Sequence, residues 1–326
     1  MVTDILYKKI YIILLKVDMN LKNLNITAAV VHALILIGLL IWFIVQGGTS
    51  NFNTQLFKYS YDPFDADYPQ VDPNNPLSTK VVATKMVTFS DWTLKTLVLV
   101  YFAFTVFFHI FYATDGFGSG LYTRMIMNGN NWVRWIEYGI SSTIMTLLVL
   151  IVTGVKDFDA VVLAVVANIG MIMTGQIVEA ASELSVKIVG LVIGFLLLVV
   201  IFAIIFRNFF YNLSQAKKFD YKVPFYVYAI VFLLFLWYVQ FGIVAVLNVK
   251  NPGNYIKYEK YYIWLSFLSK ASLGFFIGFG ITRPKAEKNK TVKVGEYDVS
   301  IEEFSKQFET EESVVWEESS ENSKDE

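Results

Sequence analysis

The sequence predicts an all-α membrane protein, a bundle of seven membrane-spanning helices with a small β-hairpin in the first loop between them. The chain of 326 residues is 55% hydrophobic and has a mean hydropathy of +0.50. Only 17% of its residues are charged, whereas charged residues make up about a quarter of a soluble protein. Seven apolar runs of the length that one bilayer crossing requires recur along the chain.

The seven runs lie at 26–46, 92–113, 132–154, 159–178, 187–208, 223–247 and 261–282. The connections between the second and the seventh run are short, which predicts antiparallel neighbours in one compact bundle. Aromatic side chains near several run ends, such as Trp92, Trp132 and Tyr211, are typical of anchoring at the membrane interface. We therefore assign residues 26–283 to one membrane domain and residues 1–25 to an N-terminal extension.

One long loop, residues 47–91, separates the first two runs. Within it "LFKYS" (56–60) and "KVVATKMVTF" (80–89) are typical of strands, and "DPNNP" (72–76) is typical of a turn between them. At the other end, from residue 295 onward, twelve acidic residues face two lysines. Such a composition buries too little apolar surface to fold, so residues 284–326 are predicted to form an acidic, disordered tail.

Several function classes are excluded or disfavoured by what the composition lacks. The chain has no cysteine and only two histidines, which excludes thiolate chemistry and makes a multi-histidine metal site unexpected. We found no nucleotide-binding loop and no pattern typical of hydrolytic enzymes or of nucleic-acid binding. The expectation is therefore a non-enzymatic membrane protein without a metal site.

Lys270 stands near the middle of the seventh run, in "YYIWLSFLSKASLGFFIGFG" (261–280). A lysine at the centre of a membrane helix costs about 2.5–3.5 kcal/mol even on lenient insertion scales. Glu137, near the start of the third run, is the one carboxylate within the runs that can serve as its partner. One interpretation is a structural ion pair. The other, which the isolation of the two charges favours, is a Schiff base between this amine and an aldehyde, with Glu137 as counterion.

Other polar residues gather in the same half of the predicted bundle. Because neighbouring helices run antiparallel, His32, His109 and Glu137 fall on the same side of Lys270. The polar residues one helical turn from His109, Glu137 and Lys270 are Thr105, Ser141 and Ser266 respectively. A lone histidine in a membrane is more often an interhelical hydrogen-bonding group, but the convergence of both histidines favours a proton-handling site.

Seven spans, a lysine in the middle of the last one and a carboxylate on the third resemble the microbial rhodopsins. The stretch "RWIEYGISSTIM" (134–145) is similar to the third helix of the heliorhodopsins, where the counterion is a glutamate followed by a tyrosine. The long, strand-containing first loop is also a trait of that family. The resemblance covers about residues 25–283 and implies the rhodopsin bundle as the fold.

The resemblance implies that Lys270 binds all-trans retinal, that Glu137 is its counterion and that His32 and His109 belong to a proton-accepting polar cluster. We assign Thr105 and Asn131 to the same cluster. The remaining positions that the resemblance implies for the pocket are Tyr138, Ser142, Asn168, Met171, Trp237, Gln240, Phe241 and Ser266. Ser141, one turn from Glu137, is added to them from its position on the helix.

The resemblance further implies a cytoplasmic N-terminus, an extracellular C-terminus, a homodimer in the lipid membrane and a light-sensing function with an unknown signalling partner. The charges of the loops divide almost evenly and do not set the orientation by themselves. The alternatives are a light-driven proton-translocating rhodopsin and a small carrier that uses the Glu137–Lys270 pair as its site. Leu148 occupies the position where proton pumps keep a carboxylate donor, which argues against outward pumping. The fifth span has no tryptophan that could face the chromophore, which leaves Val192, Phe195 or Leu196 for that wall.

Overall fold

The computed structural model describes residues 2–46, 53–61, 81–218, 223–281, 291–294 and 297–300. Within these residues, seven helices are long and apolar enough to cross a membrane, as predicted. The elements are α1 (Val2–Gln46), β1 (Asn53–Tyr61), β2 (Val81–Ser90), α2 (Asp91–Ala113), α3 (Leu121–Met127), α4 (Trp132–Val152), α5 (Phe158–Ala180), α6 (Leu184–Lys218), α7 (Phe225–Lys250), α8 (Tyr255–Ile281), β3 (Thr291–Val294) and β4 (Tyr297–Ser300).

The observed helices extend the predicted spans at several ends. Helix α1 begins at Val2, so the predicted extension and the first span form one continuous helix. Helix α6 continues to Lys218 and α8 begins at Tyr255, because a helix tolerates polar and charged residues beyond the apolar stretch that defines a span. The short helix α3 was not predicted, since its seven residues are too few to give a span signal.

The predicted β-hairpin of the first loop is confirmed. Strands β1 and β2 pair antiparallel, from Asn53 opposite Ser90 to Tyr61 opposite Val81, with a bulge between Leu56 and Phe57. The Phe57 amide donates to the Lys156 carbonyl at 2.8 Å, which fastens the hairpin to the connection between α4 and α5. The predicted turn at 72–76 lies outside the described residues.

The tail was predicted to be disordered from residue 284 onward. The structure describes two short pieces of it, strands β3 and β4, which pair antiparallel. The rest of the predicted tail lies outside the described residues.

Local capping fixes the starts of the helices that carry the polar residues. Ser90 and Thr93 form a reciprocal capping box at the start of α2. Asn131 caps α4, since its side-chain oxygen accepts the Arg134 amide at 3.2 Å. The cap sets where α4 begins and therefore the depth at which Glu137 lies, six residues further along the helix.

The bundle has two ends of different character. At the hairpin end a large apolar core includes Phe43, Leu56, Leu94 and Leu148. The opposite end, which we call the α3 end, contains α3, Leu21 of α1 and the starts of α4 and α8. Most of the buried charged side chains described below lie between this end and the middle of the bundle.

Gly274 marks a close approach of α8 to α2. A Cβ atom at this position would overlap the Phe102 ring and lie 2.6 Å from the Tyr101 hydroxyl, and both side chains are fully buried. We expect Gly274→Ala to lower the free energy of unfolding by about 1–3 kcal/mol, because the packed rings have little room to move. Denaturation in mixed detergent micelles, followed by circular dichroism, measures this change.

Gly38→Ala on α1 is the matched control, because a Cβ atom there meets nothing within 4 Å. It should not lower the stability. Equal losses in the two variants would contradict the packing argument.

Candidate functional site

Lys270 on α8 and Glu137 on α4 form a buried ion pair. Lys270 Nζ donates to Glu137 Oε1 at 2.7 Å, and the two side chains are only 3% and 2% exposed. The second carboxylate oxygen, Oε2, accepts the Tyr112 hydroxyl at 3.2 Å. Nζ also lies 5.5 Å from the centre of the Tyr138 ring. Each charge is costly to bury alone, so each residue requires the other at this depth.

A mostly apolar cavity adjoins this pair, between α4, α5, α6, α7 and α8. Lys270 is the only basic residue in the described wall. The predicted site residues that line the cavity with it are Tyr138, Ser141, Ser142, Met171, Phe241 and Ser266. An apolar cavity with one buried amine in its wall suits a hydrophobic aldehyde, which needs apolar surface along its length and a nucleophilic amine at its carbonyl carbon.

Close helix packing on the α6 side shapes this cavity. Phe195 lines it, whereas Val192 and Leu196, the other two candidates for this wall, are 54% and 60% exposed on the outside of the bundle. A Cβ atom on Gly242 of α7 would lie 2.9 Å from the Phe195 ring. The glycine therefore leaves room for the ring that closes this wall.

Three predicted pocket residues lie outside the cavity wall. Asn168 is fully buried behind it and donates to Ser142 Oγ at 2.9 Å. Trp237 donates from its indole nitrogen to Ser272 Oγ at 3.1 Å, and Gln240 is half-buried. Helix α7 presents to the cavity a face that repeats every three to four residues. Position 237 falls near the edge of that face, and position 240 lies well away from it. The residues of that face are Tyr238, Phe241, Gly242 and Ala245.

His32 and His109 stack on each other, with ring centroids 5.2 Å apart. His32 Nδ1 lies 2.7 Å from the Ala28 carbonyl, which can only accept, so this nitrogen carries the proton. Asn25 donates to the Leu21 carbonyl at 3.0 Å, which turns its oxygen toward His109 Nδ1 at 2.9 Å. His109 therefore also carries its proton on Nδ1. Both Nε2 atoms are buried acceptors without a hydrogen-bond partner among the described residues.

Thr105 of the predicted cluster and Ser266 of the predicted pocket differ in whether the hydroxyl group is hydrogen-bonded. The Thr105 hydroxyl is fully buried and donates to the Tyr101 carbonyl of its own helix at 2.8 Å. The Ser266 hydroxyl has no hydrogen-bond partner among the described residues. Ser266 is therefore a buried polar group available to a molecule in the cavity, whereas Thr105 is already satisfied.

A second buried charged group, which we call the arginine cluster, consists of Arg134, Glu179 and Glu259. Arg134 donates to one oxygen of each carboxylate. Asn131 joins this cluster and not the histidine pair. Its side-chain Nδ2 donates to Glu259 Oε1 at 2.7 Å, and its backbone N–H donates to Glu179 Oε1 at 2.6 Å. Tyr255 also donates to Glu179, at 2.7 Å. The arginine cluster thus contains one cation and two carboxylates.

Sequence reasoning missed the two carboxylates of the arginine cluster. The predicted spans ended at residue 178 and began again at 261, so Glu179 and Glu259 were counted as flanking residues although both are buried. Glu137 is nevertheless the carboxylate that Lys270 contacts, as predicted, whereas Glu179 and Glu259 bind Arg134. Arg134 itself was the signal, because a cation this near a span interior needs carboxylate partners.

The model of the heliorhodopsin family matches residues 21–282 of the chain. The matched range contains most of α1, the hairpin loop and α2 to α7, and it includes α8 in full. No curated protein gives a significant match.

The charge count of the arginine cluster gives a test of its stability. We expect Arg134→Met to lower the free energy of unfolding by about 3–5 kcal/mol, because it leaves two carboxylates buried without a cation. Glu259→Gln should cost less, since one arginine then faces one carboxylate. Titration with a denaturing detergent in mixed micelles measures both values.

Arg124→Met on α3 is the control, because Arg124 is exposed and its replacement should change the stability by no more than about 0.5 kcal/mol. A larger loss in Glu259→Gln than in Arg134→Met would show that the charge balance of the arginine cluster has been misread.

Proposed function

The chain belongs to the heliorhodopsin family, which comprises membrane-embedded retinal proteins of the microbial rhodopsin type, and from this premise we propose that it is a light-sensing photoreceptor that carries retinal on Lys270. The observation that supports this most strongly is the position of Lys270 Nζ. It is a buried amine, 2.7 Å from a buried carboxylate oxygen, in the wall of an apolar cavity.

When bound, all-trans retinal supplies the absorption of light and the isomerisation, through a Schiff base to Lys270. The chain supplies the surroundings. Glu137 balances a positive charge at Nζ, and the Tyr112 hydroxyl at 3.2 Å holds the carboxylate in place. Tyr138, Met171, Phe195 and the other apolar residues of the wall exclude water from the amine.

The two histidines provide a place for a proton close to this site. Each has a free Nε2 acceptor in a buried position. Toward the hairpin end, the position that would carry a carboxylate donor in a pump is Leu148, which is fully buried in the apolar core. In this proposal the proton moves into the polar half and returns to the Lys270–Glu137 pair without crossing the membrane, which favours sensing over transport.

Orientation and assembly are part of the same proposal. We place the N-terminus and the α3 end in the cytoplasm and the β-hairpin outside. The hairpin is held to the bundle by the bond from Phe57 to Lys156, which makes it a firm surface for a homodimer contact. Isomerisation of a bound chromophore converts no external substrate, so we propose a receptor and not an enzyme.

Reconstitution with retinal tests the central claim. The purified apoprotein should develop a visible absorption band when all-trans retinal is added, and Lys270→Ala should abolish that band, because it removes the amine. Lys257→Ala is the control, since Lys257 is an exposed lysine on the same helix. If the wild-type protein forms no band, the result favours the alternative in which the Lys270–Glu137 pair is the binding site of a small carrier.

Replacing the counterion tests the role of Glu137. Glu137→Gln should shift the absorption maximum to longer wavelength, because the positive charge at Nζ loses the anion that stabilises it in the ground state. The exposed Glu183→Gln should leave the maximum in place. An unmoved maximum in Glu137→Gln would remove this residue from the counterion role.

Light-driven current distinguishes sensing from proton translocation, which the polar half of the bundle makes the second candidate. In a voltage-clamped cell we expect no steady photocurrent from protein that completes its photocycle, because Leu148 stands where a pump would carry its carboxylate donor. A sustained current carried by protons would favour the transporting alternative.

A further inference from the structure

Hydrogen bonds through α3 join the histidine pair to the arginine cluster. From His109 the chain of contacts passes to Asn25, whose amide nitrogen lies 3.4 Å from the Tyr122 hydroxyl oxygen. Tyr122 in turn donates to Glu259 Oε1 at 3.3 Å. Tyr122 is 2% exposed, so this short helix places a hydroxyl group inside the bundle.

Tyr122 also contacts the tyrosine that is hydrogen-bonded to Glu137. Its ring packs on the Tyr112 ring with centroids 4.9 Å apart, and Tyr112 donates to Glu137 Oε2. Two tyrosines therefore stand between Glu137 and Glu259. A phenol can donate one proton while it accepts another, which is what a relay between two carboxylates requires.

The charges determine the direction in which a proton would move. The Lys270–Glu137 pair is balanced, whereas the arginine cluster has two carboxylates for one guanidinium. The charged groups that face Glu259 are Arg134 from α4 and Glu179 from α5. The tyrosines near it are Tyr122 from α3, Tyr112 from α2, Tyr138 from α4, and Tyr255 and Tyr262 from its own helix. One added proton would make the arginine cluster neutral, and a buried site favours neutrality.

We propose that Glu259 is the carboxylate that finally accepts the proton released after illumination, with the Tyr122 hydroxyl as its immediate donor. This inference rests on the proposed function. One proton moves and no electron does. Lys270 Nζ loses a proton to Glu137, and Glu137 passes one to Tyr112. The Tyr112 and Tyr122 rings are in contact, and movement of their hydroxyls into hydrogen-bonding distance lets Tyr112 pass one to Tyr122. Tyr122 gives its hydroxyl proton to Glu259 Oε1, so that Glu137 and both tyrosines end unchanged.

The step has a structural consequence at the α3 end. A neutral Glu259 holds Arg134 less strongly, which leaves Glu179 as its remaining anion. Glu179, Tyr122 and Tyr255 all line a large second cavity at this end of the bundle. Protonation of Glu259 therefore changes the charge and the contacts of a surface that a cytoplasmic partner can reach in the proposed orientation.

Infrared difference spectroscopy, light minus dark, tests the assignment on the retinal-loaded protein. The wild-type protein should show a new C=O stretching band of a protonated carboxylic acid. Glu259→Gln should lack it, and the exposed Glu183→Gln should keep it. A band of undiminished amplitude in Glu259→Gln, or no band in the wild-type protein, overturns the assignment.

The role of Tyr122 is tested by the rate at which that band rises. Tyr122→Phe should slow the rise roughly 100-fold, the size of effect expected when a positioned proton donor is lost. Tyr258→Phe, a buried tyrosine that precedes Glu259 on α8, should leave the rate unchanged. Equal rates in the wild-type protein and Tyr122→Phe overturn the relay. This variant also provides the test if Glu259→Gln does not fold.

A second readout needs no retinal. Acid titration of the apoprotein, followed in the same infrared region, should show one buried carboxyl group taking up a proton. That step should be missing in Glu259→Gln and present in Glu183→Gln, and its persistence in Glu259→Gln counts against the proposal. If instead no visible band forms with retinal while this step is present, the proposed function fails and the proton-binding role of Glu259 does not.

Discussion

The interaction on which the rest of the site depends is the ion pair between Lys270 and Glu137, 2.7 Å apart at the centre of the bundle. Moving either charge into the interior alone costs several kcal/mol. The two helices that carry them must therefore keep one relative depth and one relative rotation. The Asn131 cap sets the start of α4, and Gly274 allows α8 to approach α2 one turn beyond Lys270.

The two halves of the bundle on either side of the pair differ in how many buried polar and charged side chains they contain. Toward the hairpin end the described core is mostly apolar, with side chains such as Leu94, Leu148 and Phe43. It also contains the buried Lys95 and the hydrogen-bonded pair Thr146 and Tyr238. Toward the α3 end the histidine pair and the arginine cluster bring hydrogen-bonding groups to within a few residues of the surface. Most of the buried charge in the described bundle therefore lies on the α3 side of the pair.

Much of this could be predicted from the sequence, and the failures have physical causes. Span length and mean hydropathy found all seven crossings, and the isolation of Lys270 and Glu137 among apolar residues indicated that they meet. Helix α7 is apolar almost all round, so its sequence gave no signal for which face meets the cavity. The described wall does not include Trp237 and Gln240, whose roles in the pocket stay predictions. Glu179 and Glu259 were missed because hydropathy marks where the apolar stretch ends and not where burial ends.

The arginine cluster shows why those missed residues matter to the mechanism. A buried group of three charges is hard to justify by stability, because well-packed apolar residues often replace such groups without loss. A fully balanced group would also respond weakly to a proton. Arg134 faces two carboxylates, so the cluster has one net negative charge. Asn131, Tyr122 and Tyr255 donate hydrogen bonds that stabilise this charge. The net charge of this cluster and its link to the polar core through Tyr122 therefore fit the proposed binding and release of a proton better than a role in folding alone.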